Sequence, residues 1–345
     1  MLPRRPAADD VPLSAGKLPG ELLARLVSQY RTPHDETVIV DPAYGFDAAA
    51  LRVGGEVLVV KSDPITFTTE GMAHYLVAVN ANDIACLGGV PRWLTVVGLL
   101  PERSSTVDAV ERLFAELREA CIEAGVSLIG GHTEVTIGLD RPLLIGTMLG
   151  TIGPWGLLKP GQARSGDALY VSKWVGLEGT ALLAHERRDE LMAALGADRV
   201  ATASGLLTSP GISISADAQA ALSSGVVTAL HDPTEGGLAT AIHELADASG
   251  LGAVVDVAAI PLLPETVAIC EHFGLDPLGL LSSGALLIAA RADRQQRLEQ
   301  AMAQAGIKVT RIGHLTPRSD GLLIRTPEGD VPLRRFDADE LTRVL

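Results

Sequence analysis

The stretch Leu230-His231-Asp232-Pro233-Thr234-Glu235-Gly236-Gly237-Leu238 constrains the architecture of this chain more than any other. Before it, Val226 to Leu230 is a short apolar run that reads as a strand; after it, Leu238, Ala241, Ile242 and Leu245 recur at helical spacing. Asp232 is placed to cap that helix, Pro233 suits its first position and Glu235 completes a capping box. Strand therefore passes into helix through a turn that carries two glycines. Each glycine costs about 1 kcal/mol relative to alanine inside a helix, so Gly236 and Gly237 need a reason to be there. Two stay open: they admit a phosphate to the free N–H groups at the helix start, or they let the helix lie close against a neighbour.

At 345 residues the chain is longer than the roughly 250–300 residues over which a single core grows, and two domains are expected. Residues 1–35 read as a Pro-rich N-terminal arm with one short amphipathic helix, about Gly20 to Tyr30. Residues 36–155 form a first α+β domain and residues 156–345 a second, with the Pro/Gly-rich stretch from Gly153-Pro154 to Pro160-Gly161 between them. The formal net charge of −14, unbroken by any Lys/Arg block, argues against a nucleic-acid or membrane surface and favours a small-molecule substrate. The three cysteines, Cys86, Cys121 and Cys270, lie far apart in apolar helical contexts and read as core residues in a reducing cytoplasm. No apolar run reaches membrane length.

Within the first domain, Ala48 to Val53 and Glu56 to Val60 flank Gly54-Gly55 as a hairpin. A helix is expected from about Ala73 to Cys86, and another, capped by Ser104 or Ser105, carries Leu113, Phe114, Leu117 and Cys121 on one face. Val126 to Ile129 reads as a strand ending at Gly130-Gly131, and Pro142 to Ile152 as a long apolar strand. In the second domain, strands at Asp167–Ser172, Val226–Leu230, Ala253–Val257, Ala285–Ala290, Val309 and Leu322 alternate irregularly with helices. That rhythm favours α+β layers over a doubly wound sheet.

No Gly-x-x-x-x-Gly-Lys-Ser/Thr loop and no Gly-x-Gly-x-x-Gly after a strand is present. What recurs is an acidic or polar residue at the end of an apolar strand, beside glycine or another small residue: Asp47, Asp63, Asp83 and Asp232. Such a set suits magnesium, a hard cation that takes one or two carboxylates plus phosphate oxygens and water. His132 and Glu134, with His74 and Asp83, lack the tight ligand spacing of a zinc or iron site, so His132-Thr133 is read as binding phosphate or orienting a carboxylate. Among the lysines, Lys17 and Lys61 are candidates for neutralising phosphate charge, whereas Lys173 reads as solvated surface. His231 and His243 read as packed or exposed residues, not catalytic ones.

The order Asp47-Ala48-Ala49-Ala50, Ser62-Asp63, Val79-Asn80-Ala81-Asn82-Asp83, Gly130-Gly131-His132-Thr133 and Asp232-Pro233-Thr234-Glu235-Gly236-Gly237-Leu238 resembles the aminoimidazole-ribonucleotide synthetase-related superfamily. That superfamily includes the purine cyclo-ligase, thiamine-monophosphate kinase, selenophosphate synthetase and the hydrogenase-maturation carbamoyl dehydratase. The resemblance implies a two-domain α+β fold, a homodimer whose N-terminal strands share a barrel, and ATP with Mg2+ held at Asp47, Asp63, Asp83 and Asp232. It also implies nucleotide contacts from Asn80, Gly130, Gly131, His132, Thr133, Gly236 and Gly237, with Asp63, Asp83 and His132 as catalytic residues. The likeness is greatest to the dehydratase, which adds a maturation partner protein to the expectations. Phe46 stands where the family has a first aspartate, Glu235 where the dehydratase has arginine, and His132 where it has aspartate. The closing residues Glu340-Leu341-Thr342-Arg343-Val344-Leu345 contain no cysteine, so chemistry on a C-terminal cysteine is not expected. The reading is an ATP-dependent enzyme that activates an oxygen of a small substrate by phosphoryl transfer. Its rival is a non-catalytic nucleotide-binding assembly factor.

Overall fold

A computed structural model describes residues 18–43, 45–66, 68 and 71–345. Lys17 and the first half of the N-terminal arm lie outside the described residues. The first half of the chain contributes α1 (Gly20–Gln29), β1 (Val38–Val40), β2 (Ala49–Val53), β3 (Glu56–Ile65), α2 (Met72–Cys86), β4 (Gly89–Pro101), α3 (Val107–Glu123), β5 (Ser127–Thr136) and β6 (Leu143–Ile152). Its strands make one six-stranded sheet in the order β1-β2-β3-β6-β4-β5. The Gly54-Gly55 hairpin closes with Val53 opposite Glu56, in antiparallel register.

The second half supplies β7 (Ala168–Ser172), α4 (Leu177–Glu186), α5 (Arg188–Leu195), α6 (Ala197–Ser204), α7 (Ser215–Ser223), β8 (Val227–His231) and α8 (Gly237–Ser249). Then come β9 (Leu251–Asp256), α9 (Pro264–Phe273), β10 (Leu287–Ala290), α10 (Gln295–Gln304), β11 (Val309–Pro317), β12 (Leu322–Thr326) and β13 (Gly329–Pro332). The second sheet runs β13-β12-β9-β11-β7-β10-β8, antiparallel except where β12 lies parallel to β9. No helix among the described residues is long and apolar enough to cross a membrane.

Three local expectations are corrected. The helix α3 is capped by Thr106, whose side chain accepts from Ala109 N, not by Ser104 or Ser105. The strand after Val126 does not stop at Gly130-Gly131 but runs through them to Thr136. The longest strand of the first sheet, β4, was not expected at all, because Gly89, Pro91 and Gly98 break its apolar alternation. β4 nevertheless holds β5 on one side and β6 on the other. The barrel implied by the family resemblance is not formed within one chain, whose sheet is open with β1 and β5 at its edges.

Helix α2 joins the two halves. It packs on β3, β4 and β6 of the first sheet and also on α7 and β8 of the second half, and nearly every side chain from Met72 to Cys86 is buried. A helix apolar on all sides belongs inside a core, yet this one carries Asn80, Asn82 and Asp83. Buried polar groups need partners, and α2 finds them on both sides. Asn80 Nδ2 donates to Leu76 O at 2.9 Å while its Oδ1 accepts from Asp63 N at 3.1 Å. Asn82 Nδ2 donates to Ile212 O at 3.0 Å and its Oδ1 accepts from Ile214 N at 2.9 Å, tying α2 to the segment before α7. Asn82→Ala removes both of those bonds and leaves a buried carbonyl and amide unpaired; the expected loss is about 1–3 kcal/mol of stability, read from urea denaturation.

Candidate functional site

A cavity of about 640 Å³ opens where the two halves meet, within the size range of small-molecule sites. Its walls include Asp47, Lys61, Asp63 and Asp83 from the first half and Glu178, His231, Asp232, Glu235 and Glu244 from the second. The four aspartates singled out in the sequence therefore come together, although more than 180 residues separate the first from the last.

Topology explains the convergence. β3 carries Lys61 and Asp63, and α2, held against β3 through Asn80, carries Asp83. The segment before β2 reaches α8 at Gly45, where an added Cβ would lie 3.0 Å from Glu244 O with φ at +77°. Only glycine suits that left-handed close approach, and it places Asp47 beside β8.

Lys61 sits between two carboxylates, its Nζ 3.2 Å from Asp63 Oδ2 and 3.1 Å from Asp83 Oδ2. Burial alone would lower its pKa, but Asp83 and Asp63 outweigh that and hold it above the ordinary lysine range. His231 is held in the same way: Nδ1 is 2.7 Å from Asp47 Oδ1 and Nε2 is 2.9 Å from Glu244 Oε2. Its burial opposes charge, and the two carboxylates overcome this and raise its pKa well above the usual value. His231 is thus packed, as the sequence allowed, and is held between two carboxylates, which the sequence did not show. The fourth aspartate differs. Asp232 Oδ1 accepts from the Cys86 thiol at 3.6 Å, but Asp232 Oδ2 is buried without a hydrogen-bond partner. Burial first and Asp47 second push its carboxyl up to about 7. Burial likewise raises the Cys86 thiol, which stays protonated as a donor.

One ligand atom each from Asp47, His231 and Asp232 lies within 4.8 Å of the others, a grouping that can hold a cation. Both ring nitrogens of His231 already meet carboxylates, at 2.7 Å and 2.9 Å, so the carboxylates of Asp47 and Asp232 are the fitting ligands. The orphaned Asp232 Oδ2 is what a hard divalent ion would satisfy, with His231 orienting Asp47 from behind. The expected magnesium set is narrowed accordingly: Asp63 and Asp83 already share a cation, Lys61. Phe46 packs against the apolar core and supplies no ligand.

The start of α8 corrects another expectation. The helix begins at Gly237 with Gly236 as its left-handed N-cap (φ 80°), four residues later than the capping pattern at Asp232 implied. A Cβ on Gly237 would fall 2.4 Å from Leu278 O and 2.7 Å from Leu280 O, and one on Gly236 would fall 2.5 Å from Thr240 Oγ1. The space these glycines leave is thus filled by the chain itself. The Gly236 N–H also has its anion already: Asp339 Oδ2 accepts from it at 2.8 Å, while Asp339 Oδ1 accepts from Leu281 N and Leu341 N at 3.2 and 2.9 Å.

Gly130, Gly131, His132 and Thr133 do not line the cavity of their own chain. They lie exposed on the edge strand β5, where His132 Nε2 meets Glu134 Oε2 at 2.9 Å. Gly131 is required there because a Cβ would lie 1.8 Å from Val96 O of β4. Sequence reasoning missed Glu178, Glu244, Ser283, Arg141 and Asp339 as wall residues; none sits in a spacing pattern that points to a site. Lys173 is also corrected: it is buried, bonded to Ser213 O at 2.6 Å and paired with Asp217 at 3.3 Å.

Fold and site together define a two-domain α+β protein with an acidic cleft between its halves. The sequence matches AIR synthase related protein, N-terminal domain, over residues 45–152 and AIR synthase related protein, C-terminal domain, over residues 164–324. The chain belongs to the AIR synthase-related family, in its HypE-like branch. It is 26% identical over 330 residues to the putative hydrogenase expression/formation protein MJ0676 of Methanocaldococcus jannaschii, covering 91% of this chain and 95% of that one. To the carbamoyl dehydratase HypE of Cupriavidus necator it is 33% identical over 262 residues, covering 72% and 70%. The crystal structure of the hydrogenase maturation protein HypE in complex with ATP superposes with a TM-score of 0.71 at 26% identity, covering 87% of this chain and 90% of that chain.

Gly237→Ala separates packing from phosphate binding. The clash with the 278–280 backbone and the left-handed φ of +62° predict a loss of roughly 1–3 kcal/mol, the usual cost of overpacking, seen as a lower melting temperature without ligand. A variant as stable as the parent would return the glycine to a ligand role.

Proposed function

We propose that this chain binds ATP with magnesium in the cavity and transfers a phosphoryl group to an oxygen of a small substrate. The observation that carries the reading is Asp232 Oδ2, a buried carboxylate oxygen without a partner, beside Asp47 in a cleft large enough for a nucleotide. A relative of the same fold solved with ATP supports the nucleotide. Asp47 and Asp232 would hold magnesium, which when bound offsets phosphate charge. In the transfer, the bond between the terminal phosphorus and the bridging oxygen of ATP breaks, ADP leaves with that electron pair, a bond to the substrate oxygen forms, and the hydroxyl proton passes to Asp63. Most of the work in such a step is positioning and electrostatics. Lys61 orients Asp63 and Asp83, the proposed catalytic carboxylates, and brings a positive charge to the terminal phosphate. Arg141, on the cavity wall, is a second phosphate partner.

A homodimer in the cytoplasm belongs to the same proposal. Ile129, Val135 and Ile137 are exposed on or just beyond β5, and an apolar edge strand is a surface that pairing covers. In such a dimer Gly130, Gly131, His132 and Thr133 would act at the two-fold interface.

A second reading, a nucleotide-binding assembly factor without turnover, is favoured by Lys61, which takes the position between Asp63 and Asp83 that a second metal ion would need. Tight ATP binding with no substrate-dependent ADP release would select it.

Titration calorimetry with ATP tests the site. Asp47→Asn and Asp232→Asn should each weaken magnesium-dependent binding by roughly 1–3 kcal/mol, the scale of a lost charged partner, whereas unchanged affinity in both folded variants would remove the nucleotide from this cavity. Light scattering tests assembly: the parent should be a dimer at micromolar concentration, and Ile129→Lys combined with Val135→Lys should give a monomer.

A further inference from the structure

The wall of the same cavity also includes Glu178 and Leu182 of α4 and, from a later segment, Leu281 and Ser283. Glu178 is the second residue of α4 and is 6% exposed; Ser283 is 1% exposed. Both line the cavity, and neither Glu178 Oε2 nor Ser283 Oγ has a hydrogen-bond partner among the described residues. Buried polar atoms left unpaired cost about 1–3 kcal/mol each, so a fold that keeps two side by side keeps them for something else.

Several neighbouring polar groups are spent on the chain itself. Ser282 Oγ accepts from Gly176 N at 2.8 Å, Thr180 Oγ1 pairs with Thr266 Oγ1 at 2.8 Å, and Gly179 N donates to Leu281 O at 2.9 Å. Asp339 is occupied by three backbone N–H groups. Gly179 has no room for a side chain, since a Cβ would lie 2.5 Å from Leu280 Cγ. The wall is therefore rigid and pre-shaped, with Glu178 and Ser283 as its open positions.

Charge narrows the ligand. Burial pushes the Glu178 carboxyl up to about 8 against the opposing pull of the neighbouring Ser283 hydroxyl, and the charged groups that act on it, Glu235, Asp339 and Asp232, are all negative. A phosphate or carboxylate would be repelled here, and a group that donates N–H bonds while carrying positive charge would relieve the whole cluster.

We infer that Glu178 and Ser283 form the substrate subsite, which takes a cationic nitrogen group, an ammonium or guanidinium, of the molecule whose oxygen is phosphorylated. This rests on the phosphoryl-transfer reading for the second half of its statement only. Asp232 acts electrostatically on both Glu178 and Lys61, and all three line the one cavity, so the nitrogen belongs at Glu178 and the accepting oxygen toward Lys61.

The test uses the full chain and four probes that share a four-carbon chain: butylguanidine, butylamine, butyramide and butyrate. Butylguanidine or butylamine should bind the parent with at least tenfold higher affinity than butyramide, and butyrate should not bind measurably. Glu178→Gln should weaken the cationic probe at least tenfold and Ser283→Ala severalfold, with the melting temperature of Glu178→Gln unchanged or higher, because an isosteric neutral group replaces a buried acid. Equal affinity for the neutral amide, equal binding of the cation by Glu178→Gln, no binding of any probe, or unfolding of Glu178→Gln would each overturn the subsite. Affinity of the parent for magnesium–ATP, measured alongside, keeps the two readings apart: cation binding without nucleotide binding sinks the proposed function and leaves the subsite standing.

Discussion

A helix buried on every side cannot carry unpaired polar groups, and α2 carries three. The partners of Asn80, Asn82 and Asp83 come from β3 on one side and from the segment before α7 on the other. Each bond is modest, but leaving any one unmade would cost more than making it gains. Satisfying them fixes where β3 lies against α2, and where the second half lies against both. The cavity and its carboxylates are where they are because that arrangement completes α2.

Within the cavity the chain supplies its own cations. Lys61 and His231 each stand between two carboxylates, a geometry that offsets the burial of both signs of charge. What remains after this internal pairing is informative. Asp232 Oδ2, Glu178 Oε2 and Ser283 Oγ are buried and unpaired, and all three residues face the same cavity. Unpaired buried polar atoms that line a cavity are groups a ligand can complete. The other unpaired oxygen of a charged side chain, Asp217 Oδ1, belongs to the Lys173 pair, which lies outside the cavity.

Much of this was legible in the chain. Helix α2, the β2–β3 hairpin and the strand β8 leading to Asp232 follow from apolar periodicity and turn residues, and they lie close to where the spacing puts them. The aspartate set was legible too, because each member sits at an element end beside small residues. Strand β4 was not: its glycines and proline weaken the local signal, and only pairing with β5 and β6 makes it a strand. The two partners of His231 were not legible for a related reason. A histidine at a strand end acquires its charge from Asp47 and Glu244, and neither is near it in sequence.

By itself the sequence determined the α+β class, the family and the four aspartates, since periodicity and short motifs are local properties of the chain. Tertiary structure decided how those residues are used. It gave Lys61 to Asp63 and Asp83, left Asp232 open, filled the glycine turn at α8 with backbone and Asp339, and set Glu178 beside Ser283. Those outcomes depend on which buried groups meet and which are left without a partner, and that is decided by packing between segments far apart in the chain.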